Sequence, residues 1–80
     1  MKKKTDLAQC VRESLVQYLA DLGDARPANL YDMVIDFVER PILEVVMARA
    51  QGNQSLAAQM LGMTRNTLRK KLLAHKMLDQ

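Results

Sequence analysis

Seven residues near the C-terminus, from Arg65 to Lys71, hold four cations: Arg65, Arg69, Lys70 and Lys71. Asn66 and Thr67 sit among them and Thr64 stands just ahead, in the stretch LGMTRNTLRKKL. Guanidinium and ammonium groups bind phosphate oxygens, and an arginine can also hold O6 and N7 of a guanine through two parallel bonds. Short hydroxyls suit phosphates as well. The chemistry on offer is therefore the binding of a polyanion. The whole-chain net charge of +3 hides a segregation: residues 5–52 carry −4, residues 53–80 carry +4, and Lys2, Lys3 and Lys4 supply the remainder. Clustered cations that release counterions from phosphates point to nucleic acid. An ordinary solvated helix face would explain the charge alone, so the spacing of the uncharged residues decides.

Other chemistries find few residues. His75 is the sole histidine and Cys10 the sole cysteine, so neither a metal set nor a nucleophile–base pair is legible. The expected reading of Cys10 is a small buried hydrophobe on an apolar helix face, suited to a reducing cytoplasm. Gly23, Gly52 and Gly62 stand apart as punctuation, not as a phosphate loop. Six methionines read as gap fillers. No enzyme, cofactor or metal is expected, and no run reaches the roughly 20 apolar residues that a membrane helix needs.

Helices must position the cations. Leu7, Cys10, Val11, Leu15, Tyr18, Leu19 and Leu22 recur at the spacing of one helical stripe, with Thr5 or Asp6 as its cap and Gly23 at its end. Asn29 is placed to cap a second helix. That helix carries Leu30, Tyr31, Met33, Val34, Ile35, Phe37 and Val38, then Pro41, then Ile42, Leu43, Val45, Val46 and Met47, and Gly52 is its expected stop. Pro41 has no N–H for the carbonyl of Phe37, which predicts a kink or a break. A helix apolar over most of its circumference must be buried on most of it. One other amphipathic helix and a short C-terminal unit cannot cover it, whereas a twofold partner can, so a homodimer is expected. Asn53 or Ser55 caps a short third helix, Gly62 ends it, and Thr64 caps a fourth that runs to about Lys76. No strand signal appears in the sequence.

Two short helices joined by a tight turn containing glycine form a helix-turn-helix unit, spanning about 54–73 here. Counting from Gln54, Ala58 is fifth, Gly62 ninth and Leu68 fifteenth. Ala58 has to be small where the second helix crosses, and Gly62 leaves the helix through backbone that a Cβ resists. Leu68 and Leu72 pack the second helix against Leu56, Leu61 and the bundle, with His75 on the same inward sector. Asn66, Thr67 and Lys70 point away from it, Arg65 and Arg69 flank it on one side, and Lys71 flanks it on the other. In such a unit the start of the second helix meets base edges in the major groove. Arg65 is the candidate to reach a guanine, and Ser55, Thr64 and Thr67 are candidates for phosphates.

The run GNQSLAAQMLGMTRNTLRKKL (52–72) closely resembles the C-terminal segment of the Fis family, the bacterial factors for inversion stimulation, and NLYDMVIDFVERPILEVVMARAQGN (29–53) resembles it too. The resemblance implies a single all-α, four-helix domain over 1–80, an intertwined homodimer with dimerisation helices in 5–52 and a DNA-binding unit in 53–80. It implies a cytoplasmic, nucleoid-associated regulator that binds and bends double-stranded DNA at degenerate sites, partly through groove shape. Family DNA-contacting positions that match are Asn53, Ser55, Thr64, Arg65, Thr67, Arg69, Lys70 and Lys71. The residues add Asn66 and Lys76 to that set. Two departures are visible. The first helix starts almost at MKKKTD, so the family's N-terminal arm is missing, which counts against contact with an invertase. Leu73 and Ala74 stand where relatives have paired lysines, and Lys76 partly substitutes. The same pattern occurs in the C-terminal domains of NtrC-type enhancer-binding activators, so an isolated output domain is the first rival. A helical interaction module without nucleic acid is the second.

Overall fold

The computed structural model describes residues 4–78, with side chains from Asp6 onward. Among the described residues the chain forms α1 (Lys4–Leu22), α2 (Leu30–Arg49), α3 (Gln54–Leu61) and α4 (Arg65–Ala74), with no strand, as the all-α reading expects. No helix among them is long and apolar enough to cross a membrane.

The chain divides at Leu30 into two compact units. The first holds α1. Its exposed side is laced by pairs three and four apart, Arg12 to Gln9 at 2.6 Å, Gln9 to Glu13 at 2.9 Å and Gln17 to Asp21 at 2.8 Å, the spacing at which helix neighbours face each other. The helix already runs at Lys4, so neither Thr5 nor Asp6 is its cap; the position ahead of it lies outside the described residues. Gly23 ends it as expected, at φ +63°. Val11, Leu15 and Leu22 are half-buried, but Leu7 and Val16 are exposed. Cys10 is exposed too, which corrects its expected place as a buried hydrophobe.

The second unit, residues 31–80, holds most of α2 together with α3 and α4. Leu43, Ala50, Ala57, Ala58, Leu68 and Leu72 form its buried centre, with Val46, Met47, Leu61, Met63, Met77 and Leu78 packed around it. Each fully buried leucine contributes about 1.5–3 kcal/mol over an exposed one. Three of the six methionines, Met47, Met63 and Met77, fill gaps as anticipated, while Met60 is exposed. Leu56 departs from expectation: it is 43% exposed and does not join Leu61 under α4.

Pro41 does not break α2, which continues from Leu30 to Arg49. Phe37 and Pro41 are both exposed, so the carbonyl that proline leaves without its donor lies on an outer turn of this chain. Asn29 precedes the helix at φ +54°, in the left-handed region that asparagine tolerates, instead of the extended backbone of a capping residue. The stop comes one residue before Gly52. Gln51, at φ +55°, donates to the carbonyl of Ala48 at 3.1 Å and Gly52 donates to that of Met47 at 3.0 Å, a Schellman motif centred on a glutamine.

Candidate nucleic-acid interface

The helix pair at the C-terminal end is built by local capping on both sides of its turn. Asn53, in extended backbone, accepts the N–H of Leu56 on its Oδ1 at 3.1 Å and so caps α3, which settles the choice between Asn53 and Ser55. Gly62 leaves α3 at φ +76°, and Met63 donates back to the carbonyl of Ala58 at 3.0 Å. A Cβ at Gly62 would meet open space, so its conformation and not its surroundings calls for glycine. Thr64 then caps α4 by accepting the N–H of Thr67 at 3.1 Å. Its hydroxyl also donates to that of Thr67 at 2.9 Å, which leaves the Thr67 proton to donate outward.

Packing fixes which side of α4 faces out. Leu68 and Leu72 are 0% and 1% exposed, against Ala57 and Ala58 at the centre of the unit. Arg65, Asn66, Thr67, Arg69 and Lys70 are all exposed as a result. Among the described residues no partner carboxylate meets Arg65, Arg69 or Lys70. Ser55 and Thr64 are exposed at the starts of α3 and α4, near the N–H groups that a helix start leaves open to anions. Asn53 spends its oxygen on the cap but keeps an amide donor. Lys76 is exposed but does not lie on α4. The helix stops at Ala74, two residues short of the expected end, and Lys76 turns the chain at φ +59°. Its N–H bonds Leu73 at 3.0 Å while that of Met77 bonds Leu72 at 2.8 Å, a second Schellman motif without glycine.

Lys71 is placed differently from the other cations of α4. Its Nζ lies 2.9 Å from Oε2 of Glu39 on α2. The other oxygen of the same carboxylate lies 2.9 Å from Nε2 of His75, whose side chain is almost covered. Bonds from Lys71 and then His75 hold the Glu39 carboxyl below its ordinary pKa, against the opposing effect of burial. Arg40 adds a third link, donating from Nη1 to the carbonyl of His75 at 2.6 Å, where a helix C-terminus favours a cation. Glu39 and Arg40 were not singled out from the sequence; their partners lie more than 30 residues away. Asp36, Glu39 and His75 do bring possible ligand atoms within 4.8 Å of one another. Lys71 and Arg40 already place positive charge against them, so the group reads as an ion-pair cluster and not as a cation site.

A short capped helix, a glycine turn and a second helix with a buried spine and a cationic outer face define a helix-turn-helix protein. The model of the bacterial regulatory protein, Fis family, matches residues 34–75, which takes in all but the first turn of α2 and the whole of α3 and α4. The chain belongs to the Fis family. Proteins named as Fis-like DNA-binding proteins in Neisseria meningitidis serogroup B and Ralstonia nicotianae are each 52% identical to it, covering 91% and 94% of this chain and 92% and 97% of theirs. The DNA-binding protein Fis of Aeromonas hydrophila is 46% identical over 89% of this chain and 72% of its own length.

Proposed function

We propose that the protein is a DNA-binding transcriptional regulator in which α4 enters the major groove and α3 crosses the backbone. One observation carries the reading: the inner side of α4 is fully buried at Leu68 and Leu72, while Arg65, Arg69 and Lys70 stand exposed on its outer side, without carboxylate partners among the described residues. Arg65, in the first turn, reads a guanine edge. Asn66 and Thr67 lie beside it at the groove. Asn53, Ser55, Thr64, Arg69, Lys70 and Lys76 bind phosphates and fix the register. Lys71, the remaining cation of α4, has its charge matched by Glu39.

The protein acts as a homodimer, as a single domain over residues 1–80 in which α1 and α2 pair with their copies. What supports this is the apolar surface that one chain leaves bare, with Tyr31 77% and Phe37 69% exposed on α2 and Leu7 and Val16 open on α1. Two reading helices on a twofold axis bind two half-sites, and a spacing shorter than one DNA turn makes the duplex bend. The working place is the bacterial nucleoid. Catalysis is no part of the role: His75 is tied to Glu39, and Cys10 has no histidine near it in sequence.

Selection of bound duplexes from a random pool, followed by a bend assay on the winners, tests the reading. Twofold-symmetric, bent sites are the expected result. Failure to retain any duplex would leave a helical interaction module in its place.

A further inference from the structure

The four cations of α4 divide by what they touch. Arg65, Arg69 and Lys70 have no carboxylate partner among the described residues, whereas Lys71 shares Glu39 with His75, and Arg40 holds the carbonyl of His75. These bonds join one turn of α2, beside Pro41, to the last turn of α4 and the residue that ends it. Both oxygens of the Glu39 carboxylate are used, at 2.9 Å each, so the carboxylate grips α4 at two points one helical turn apart. A grip at one point leaves a helix free to swing about it; a grip at two points resists that swing. The buried leucines of α4 fix its depth, and apolar packing is less directional than a forked carboxylate with two donors.

We propose that Glu39, Lys71 and His75 form a positioning clamp that sets the angle of α4 against α2, and that Lys71 acts through this clamp and not as a phosphate contact. The inference rests on the DNA-binding reading above and deepens it: recognition by Arg65 depends on a residue of α2 that does not itself touch DNA. The two roles for Lys71 predict opposite signs. A lysine that binds phosphate is held back by Glu39, so removing the carboxylate's charge frees it and strengthens binding. A lysine that orients α4 needs Glu39, so removing the charge weakens recognition of the preferred site.

The test compares the full chain with Lys71→Ala, Glu39→Gln and Lys70→Ala. Binding to a selected duplex and to a scrambled one is measured across a salt series, well below each variant's melting temperature. The clamp predicts that Lys71→Ala and Glu39→Gln each lose about three- to fivefold in affinity for the selected duplex, the loss of one partly exposed charged pair. The salt slope should stay unchanged and scrambled DNA should be bound nearly as before. Lys70→Ala should lower the slope by about 0.9. A slope reduced equally by Lys71→Ala, together with tighter binding by Glu39→Gln, overturns the clamp. So does unchanged affinity in both variants. Wild-type protein that binds neither duplex sinks the DNA-binding reading, and amide hydrogen exchange then decides the clamp by itself. Faster exchange along α4 in Glu39→Gln is the expected result, and exchange equal to wild type overturns it.

Discussion

The rear half of α2 with α3 and α4 buries Leu43, Leu68 and Leu72 inside one chain, whereas α1 and the front half of α2 leave Leu7, Val16, Tyr31 and Phe37 in the open. Both regions are helical and rich in apolar residues, so composition does not separate them. The closed region gathers three small residues, Ala50, Ala57 and Ala58, with Leu43, Leu68 and Leu72 into one buried centre. The open region has long helices whose apolar positions spread over more than one face. The rest of the described chain leaves those faces bare, and this bare apolar surface is what the proposed homodimer rests on. On the proposed reading, recognition falls to the closed region and assembly to the open one.

The largest effect expected to break this contrast is Leu68→Ala. A cavity at the centre of the closed region should cost about 2–5 kcal/mol, read by chemical denaturation, and should unfold α3 and α4 in a unit this small. A loss below about 1 kcal/mol would mean that α4 is held chiefly by its polar links. Next comes Phe37→Asp, which places a charge on the open surface. Sedimentation should show the proposed dimer weakened by about 2 kcal/mol or more with helix content in α3 and α4 retained, as for a central interface residue. An unaltered dimer would remove Phe37 from the interface.

Arg65→Ala comes third. It should lose about 1–3 kcal/mol of discrimination for the preferred base while the denaturation midpoint stays put. A shifted midpoint would show Arg65 to be part of the packing and not of the reading surface. The smallest effect concerns acid. Glu39 has its pKa lowered in the fold, so its contribution is fully present above the unfolded value near 4.5 and is lost as pH falls through the lowered folded value. Partial exposure of the pair with Lys71 limits this to under about 1 kcal/mol. Stability measured between neutral pH and pH 3 should fall less steeply in Glu39→Gln than in the wild type; identical slopes would remove Glu39 from the balance.

What the sequence made legible was local. The caps at Asn53 and Thr64, the glycine turn at Gly62 and the spine of Leu68 and Leu72 each depend on residues within one or two turns, and all were readable. The helix ends at Gln51 and Lys76 were not. Neither residue type advertises a left-handed backbone, and both hold it because two hydrogen bonds back into the helix close the turn. Pro41 carried a general expectation of a kink or a break, and the helix runs through it from Leu30 to Arg49 without a break. Leu56 follows helical spacing yet stays exposed, because nothing in the described chain covers that side of α3. The bonds from Glu39 to Lys71 and His75 join positions 32 and 36 residues apart, which no local pattern encodes. Charge therefore left Lys70 and Lys71 as equal candidates for DNA although helical spacing put Lys71 nearer the inward sector, and the fold shows the carboxylate that Lys71 meets.

The outer face of α4 is proposed to meet DNA phosphates through cations that have no carboxylate partner among the described residues. A salt titration of wild-type binding to duplex DNA tests it most directly. A straight fall of log affinity against log salt is expected, with a slope of several units and about one unit less in Lys70→Ala. Affinity that is flat across the series, or no binding even at low salt, would contradict it.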